Sequence, residues 1–432
     1  MNEDRIRPRD RDAIVQSLRA GVVPFTGLQH VQVGRAVEIR SLLADIERVA
    51  DGGSAFRLII GEYGSGKTFF LSLMRTIALE RKMVTARADL HPDRRLHATG
   101  GQGRSLYAEM MRNLATRARP EGGALPGVVE KFAGSAAEES KERGVGANQI
   151  IEERLHSLEE LVGGYDFASV IGQYWKGYES GSETLMRDAE RWLRGEFSTK
   201  TDARVALGVR TFIDDDNVYD NLKLMAKFVR LSGYSGLFIT LDELVNLYKL
   251  GSSQARSANY EQILRILNDS LQGSCEGLAI VMGGTPEFLS DPRRGLFSYQ
   301  ALASRLSDNA FANSKLVDNT GPVIKLKNLT PEDLYILLER LRNVFAYGDP
   351  TKYLVPDEAL ESFMKHCSRK IGDSYFRTPR TTIKAFLDFL AILEQNPAAW
   401  TDLIEQTSID RDRGPTDIAP MEEDDGLATI RL

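Results

Sequence analysis

The stretch Gly61-Glu62-Tyr63-Gly64-Ser65-Gly66-Lys67-Thr68 constrains this chain more than any other, because a phosphate-binding loop of this form works in one local context only. A strand must lead into it and a helix must open at its end. The apolar run 56–60 and the amphipathic segment 69–79 supply both. Gly61, Gly64 and Gly66 allow the main chain to approach a phosphate closely, so that backbone N–H groups and the helix N-terminus wrap it. Lys67 is expected to reach the β- and γ-phosphates and Thr68 to hold Mg²⁺. Glu62, Tyr63, Ser65 and Phe69 complete the expected nucleotide-binding set. The implied fold is α/β with a parallel sheet, and the implied ligand is a nucleoside triphosphate.

Composition sets the bounds around that loop. A chain of 432 residues is long enough for two or three domains and a sizeable core. Its apolar runs, such as 237–241 and 278–282, are strand length and too short to cross a bilayer. Residues 1–11 carry charge of both signs and no apolar centre, so no signal peptide is expected and the expected location is the cytoplasm. Cys275 and Cys367 stand far apart without metal-ligand spacing and read as core packing. The five histidines include no HExxH pair, which argues against a metal hydrolase. A formal net charge of −6 argues against a uniformly basic nucleic-acid coat, although residues 417–425 contribute much of that acidity.

Before the loop, Gly34-Arg35 with Glu38 opens an amphipathic helix carrying Ile39, Leu42, Leu43, Ile46 and Val49. After it, residues 83–90 read as the next parallel strand, with Asp89 at its end either capping a loop or standing behind the site. About 175 residues separate Lys67 from Asp242, where a compact core needs only a few βα units. The chain therefore divides into an N-terminal segment 1–50, a P-loop half 51–98, a mostly helical insertion 99–216, a second half of the core 217–327, a helical lid 328–400 and a C-terminal helix with an acidic tail 401–432. The insertion sets many arginines and lysines beside Tyr165, Tyr174, Trp175, Tyr178 and Trp192, a mixture suited to nucleic acid by phosphate contact and base stacking. Its many glutamates suit a solvated helical surface or a protein contact equally well.

The strand 237–241 delivers Asp242 and Glu243. An apolar strand ending in adjacent acids is the Walker B pattern, in which Asp242 binds the Mg²⁺ water shell and Glu243 polarises the attacking water. The alternative is an acidic pair at the N-cap of the next helix. The buried run 278–282 is expected to form another strand, and 322–326 the last. Thr330, Pro331 and Asp333 then read as N-cap, N1 and N3 of a helix, the first of three in the lid.

With Gly34-Arg35, Gly61 to Thr68, Asp242-Glu243, Arg305 and the segment 377–380 in this order, the chain resembles AAA+ ATPases of the origin-recognition-like branch. More narrowly, 60–70, 88–90 and Arg94-Arg95-Leu96 resemble the ATP-binding proteins of bacterial BREX anti-phage defence systems, of the BrxD type. The resemblance implies an AAA+ P-loop NTPase with ATP and Mg as ligands, a Gly34-Arg35 turn on the adenine side, and Thr285 as the first sensor. It further implies Arg305 as an arginine finger, with Arg293 and Arg294 as competitors, and Arg380, or alternatively Arg377, as the second sensor. Self-association through AAA+ interfaces, a partner DNA helicase of the same defence system and contact with double- or single-stranded DNA are implied as well. The other reading of the same core is a nucleotide-controlled switch that recruits a protein partner with slow hydrolysis.

Overall fold

The computed structural model describes residues 5–309, 311, 318–371, 379–396 and 400–406. Arg377, the acidic stretch 417–425 and the apolar hexapeptide 427–432 lie outside the described residues. Five strands, β1 (Ala55–Ile60), β2 (Val84–Asp89), β3 (Leu237–Asp242), β4 (Leu278–Gly284) and β5 (Val323–Lys325), form one sheet in the order β2-β3-β4-β1-β5. The β2/β3 and β3/β4 pairs are parallel. Strands β1, β3 and β4 are buried at every residue, as continuous apolar runs are when a parallel sheet is covered on both faces.

The strand order fixes where a ligand belongs. From β1 the chain goes to the far edge at β2, winds back through β3 and β4, and then crosses to β5 on the other side of β1. Winding reverses at β1, and in open α/β sheets the crevice beyond the carboxyl end of such a strand is the binding place. β5 is held to β1 by Leu58 N–H on Pro322 O (2.8 Å) and Leu326 N–H on Ile60 O (2.7 Å). The approach to β5 is fastened by Arg57 of β1. This buried guanidinium pairs with Asp45 at 2.6 and 3.0 Å and donates to the carbonyls of Asn319, Thr320 and Gly321. A buried charge is tolerated only when so fully partnered.

The chain divides into two compact units. One comprises Arg40–Leu58 and Arg75–Val323 and holds most of the sheet together with the residues inserted between β2 and β3. These form helices Gln102–Arg112, Leu125–Arg143, Ala147–Glu159, Gly164–Ser180, Glu183–Leu193 and Lys200–Leu207, followed by Val218–Leu231. Residues 122–146, rich in Gly, Ala and Ser, contain the helix Leu125–Arg143, started by a proline in its first turn and stopped by left-handed Gly144 (φ 68°). Rings join the helices: Phe132 meets Phe228 at 5.2 Å, Phe167 meets Phe228 at 5.9 Å, and Phe167 meets Trp192 edge-on at 6.1 Å. Such pairs contribute about 0.5–1.5 kcal/mol each beyond the area they bury. Because Val218–Leu231 also packs on β3, the inserted helices are fastened directly behind the acidic strand.

The other unit contains Met1–Ile39, Ile59–Met74 and the chain from Ile324. Its core is a helical block in which Pro8–Arg19 packs with Pro331–Phe345, Asp357–Ile371 and Pro379–Gln395 through Ile14, Leu338, Leu341, Phe363, Phe386 and Leu390. The N-terminal helix is thus part of the same core as helices more than three hundred residues later. Thr330 starts Pro331–Phe345 as the sequence predicts: its hydroxyl accepts from Asp333 N–H (3.1 Å), and the Asp333 carboxylate accepts from Thr330 N–H (3.2 Å). Cys275 and Cys367 are buried free thiols. Among the described residues no helix is long and apolar enough to cross a membrane, and no cluster of ligating side chains suits a metal ion on its own.

Candidate functional site

The loop after β1 has the conformation its glycines predict. Gly64 and Gly66 lie in the left-handed region at φ 80° and 86°, where a side chain other than glycine is strained. A Cβ built on Gly66 would meet nothing within 4 Å, so the loop has an open side. Lys67 begins the helix Lys67–Glu80, and its Nζ donates to Gly61 O and Glu62 O, both at 2.9 Å. Ser65 is buried, and its hydroxyl has no hydrogen-bond partner among the described residues. An open glycine concavity with a lysine at its rim and a helix start behind it fits a polyphosphate.

Other expected ligand residues gather around this loop within the same unit. Gly34 (φ 65°) and Arg35 (φ 61°) are consecutive left-handed residues, and the Arg35 carbonyl accepts from Ile39 N–H at 2.9 Å to start the helix Ala36–Ala50. The Arg35 guanidinium turns back onto the loop and donates to Ser65 O (2.6 Å) and Lys327 O (2.9 Å). Burial lowers its pKa, against the raising influence of Glu38 and Asp333. Arg380 Nη1 donates to Tyr63 Oη at 3.4 Å, which places the expected second sensor against the loop. Glu62 accepts from Asn328 at 3.5 Å. Phe69 packs against the helical core of this unit.

The acidic strand end belongs to the other unit. Asp242 is only 8 % exposed, and its Oδ1 accepts from Glu243 N–H at 2.9 Å. Glu243 stands at φ 59°, in the left-handed region that glutamate seldom occupies. Two main-chain bonds fix the turn from either side: Leu90 N–H to Asp242 O (3.0 Å) and Leu244 N–H to Gly283 O (3.1 Å). The acids do not cap the following helix, because Leu244 occupies the N-cap of Val245–Tyr248 and makes no side-chain cap. Asp89, whose role the sequence left open, is in register with Asp242 at the end of β2. Desolvation and the neighbouring Asp242 carboxylate raise its pKa. No local pattern marks that pairing; only strand register brings the two carboxylates side by side.

The remaining expected residues separate by what they touch. Thr285 caps the helix Pro286–Ser290, its hydroxyl accepting from Phe288 N–H at 3.4 Å. Arg305 is exposed on Gln300–Leu306 and donates to Ala301 O of its own helix at 2.9 Å. Arg294 is engaged internally, donating to Tyr248 O (3.2 Å) and Leu250 O (2.9 Å) with its guanidinium 5.6 Å from the Tyr248 ring centre. Arg293 is exposed. In the insertion, Tyr174, Trp175 and Trp192 are core residues, while Tyr165 and Tyr178 are exposed. Several of its cations pair with its own acids: Arg112 with Glu196, Arg143 with Glu139 and Glu153, Arg154 with Glu139, Arg191 with Asp188, and Arg194 with Glu190.

Comparison with curated proteins gave no match. The family model described as BREX system ATP-binding protein BrxC/D matches residues 6–408, a span that takes in the loop, the acidic strand end and the helical block alike, and the chain belongs to that family.

Proposed function

We propose that this protein binds and hydrolyses ATP as an AAA+ enzyme within a phage-defence system. The observation that carries the hydrolytic part is the Asp242-Glu243 turn, where a glutamate is held in a strained conformation by its neighbour's carboxylate and by two main-chain bonds. Strain retained at an acidic side chain suggests that the position of that carboxylate matters more than the stability lost. Bound ATP with Mg²⁺ supplies the phosphoryl group and the charge neutralisation of phosphoryl transfer. On the loop side, Lys67 carries positive charge to the phosphates and Thr68 offers the hydroxyl ligand for Mg²⁺. On the acid side, Asp242 orders the Mg²⁺ water shell, and Glu243 orients a water and accepts its proton. Arg380 acts as the sensor of a helical lid, and exposed Arg305 is the finger, available to a neighbouring copy in a way that internally engaged Arg294 is not.

The action on DNA beside a helicase belongs to the same proposal. A second reading has one observation in its favour: Arg112, Arg143, Arg154, Arg191 and Arg194 of the insertion pair with its own acids, which suits a protein-binding surface better than a phosphate-binding one. There the protein is a nucleotide-controlled switch that recruits a partner. Measuring ATP turnover and assembly size by light scattering, with and without double- and single-stranded DNA, separates the two. DNA-stimulated turnover with assembly supports the DNA-acting enzyme. A DNA-indifferent monomer that retains its nucleotide supports the switch, and wild-type protein that binds no ATP contradicts both.

A further inference from the structure

We infer that Arg35 is a positioning residue of the phosphate nest, not a contact for the base: it holds the Ser65–Gly66 peptide so that the Gly66 N–H faces the nucleotide's phosphates. The inference rests on the reading of residues 61–68 as a nucleotide-binding loop. In a trans peptide the C=O and the following N–H point in opposite directions, so whatever fixes the carbonyl also aims the amide. The carbonyl of Ser65 is fixed by Arg35 Nη2 at 2.6 Å. That of Gly61 and that of Glu62 are fixed by Lys67 Nζ, each at 2.9 Å. The Arg35 contact therefore turns the Gly66 N–H away from the guanidinium. The Arg35 half of this arrangement is anchored outside the loop, because the same Nη2 also donates to Lys327 O at 2.9 Å, just after β5.

Three features argue that this contact is specific. Arg35 occupies the left-handed region at φ 61° and Gly34 at φ 65°, so the backbone is strained at the residue whose side chain reaches the loop. The guanidinium is buried deeply enough for its pKa to fall, yet the groups it touches are two neutral carbonyls. Gly66 itself is exposed, and a Cβ built on it would meet nothing within 4 Å, so an anion has room to approach its amide. A nest of oriented amides loses affinity when one peptide is free to flip, because a carbonyl then faces the anion.

The test uses Arg35→Gly, which removes the guanidinium while relieving the left-handed backbone, so the fold should survive, together with Arg35→Lys and Arg35→Ala. Binding of ATP, ADP, inorganic tripolyphosphate and adenosine is measured for each by competition against a fluorescent ATP analogue, alongside thermal melting. The expected result is a roughly ten- to hundredfold loss for ATP, ADP and tripolyphosphate alike, the size of a lost charge-assisted hydrogen bond. Adenosine should bind as in wild type, and Arg35→Lys should recover part of the loss. Equal affinity of Arg35→Gly and wild type for tripolyphosphate, or a loss confined to adenosine and its nucleotides, overturns the inference. Failure of wild type to bind either ATP or tripolyphosphate overturns instead the nucleotide-loop reading beneath it.

Discussion

The phosphate loop and the acidic turn solve the same backbone problem in opposite ways. Both use left-handed residues in the turn that follows a buried strand. The loop places glycine there, at Gly64 and Gly66, whereas the turn places Glu243 at φ 59°. In the loop the main chain itself is the ligand and a side chain would obstruct it, so glycine costs nothing that the site needs. At the turn the side chain is the proposed functional group, and the strain of about 1–2 kcal/mol for a non-glycine residue is carried by the surrounding bonds. On the proposed function, glycine marks a site that works through its backbone, and a strained acid marks one that works through its carboxylate.

The largest effect should come from reversing the rule in the loop. Gly66→Ala puts a Cβ into the open side of the concavity and a left-handed strain of about 1–2 kcal/mol into the fold. Calorimetric titration should show ATP affinity falling by about a hundredfold or more, well beyond what the modest loss of thermal stability explains. Unchanged affinity would break the comparison at its first term. Within the acid unit, Arg294→Ala should cost about 1–3 kcal/mol in denaturant melts because it leaves partly buried carbonyls unpaired. Arg305→Ala should cost less than about 0.5 kcal/mol as a surface change, yet lower turnover where copies assemble. A reversed ranking would exchange their roles.

Applying the loop's solution to the turn gives a smaller and opposite effect. Glu243→Gly should abolish hydrolysis while leaving stability unchanged or raised by up to about 1 kcal/mol, since relief of strain offsets the entropy of the added glycine. Clear destabilisation in a thermal melt would show that the turn is not strained. The smallest effect concerns Asp89. Its folded-state pKa is raised, so the folded protein holds that proton more tightly than the unfolded chain, and this contribution is lost as pH rises from the usual aspartate range through the raised value. Asp89→Asn should therefore melt like wild type in acid and be slightly more stable at pH 7. The gap should stay below about 1 kcal/mol because the side chain, though crowded by its neighbours, still meets solvent that screens the Asp242 carboxylate. A variant less stable than wild type at pH 7 would point to an ionised, stabilising Asp89.

What could be read in the sequence was what neighbouring residues decide among themselves. The loop, the Asp242-Glu243 strand end and the Thr330/Asp333 capping box are local patterns. The Arg35 contact with Ser65 spans thirty residues, and the Asp89–Asp242 register spans a whole insertion; both depend on how strands and helices meet, which no local pattern encodes. The aromatics of the insertion make the same point. Trp192 packs edge-on into the core while Tyr178 stays exposed, although both stand among basic residues in the sequence, because burial there is set by Phe167 and Phe228 from other helices.

The most direct test of the account is to load wild type and Glu243→Gln with radiolabelled ATP and Mg²⁺ and to measure bound nucleotide and released phosphate in the same samples. The account predicts comparable ATP binding by both proteins and phosphate release at least about a hundredfold slower in the variant, the scale of a lost general base. Equal release by the two proteins, or none from either, would contradict the assignment of Glu243 as the residue that makes this ATP-binding protein a hydrolase.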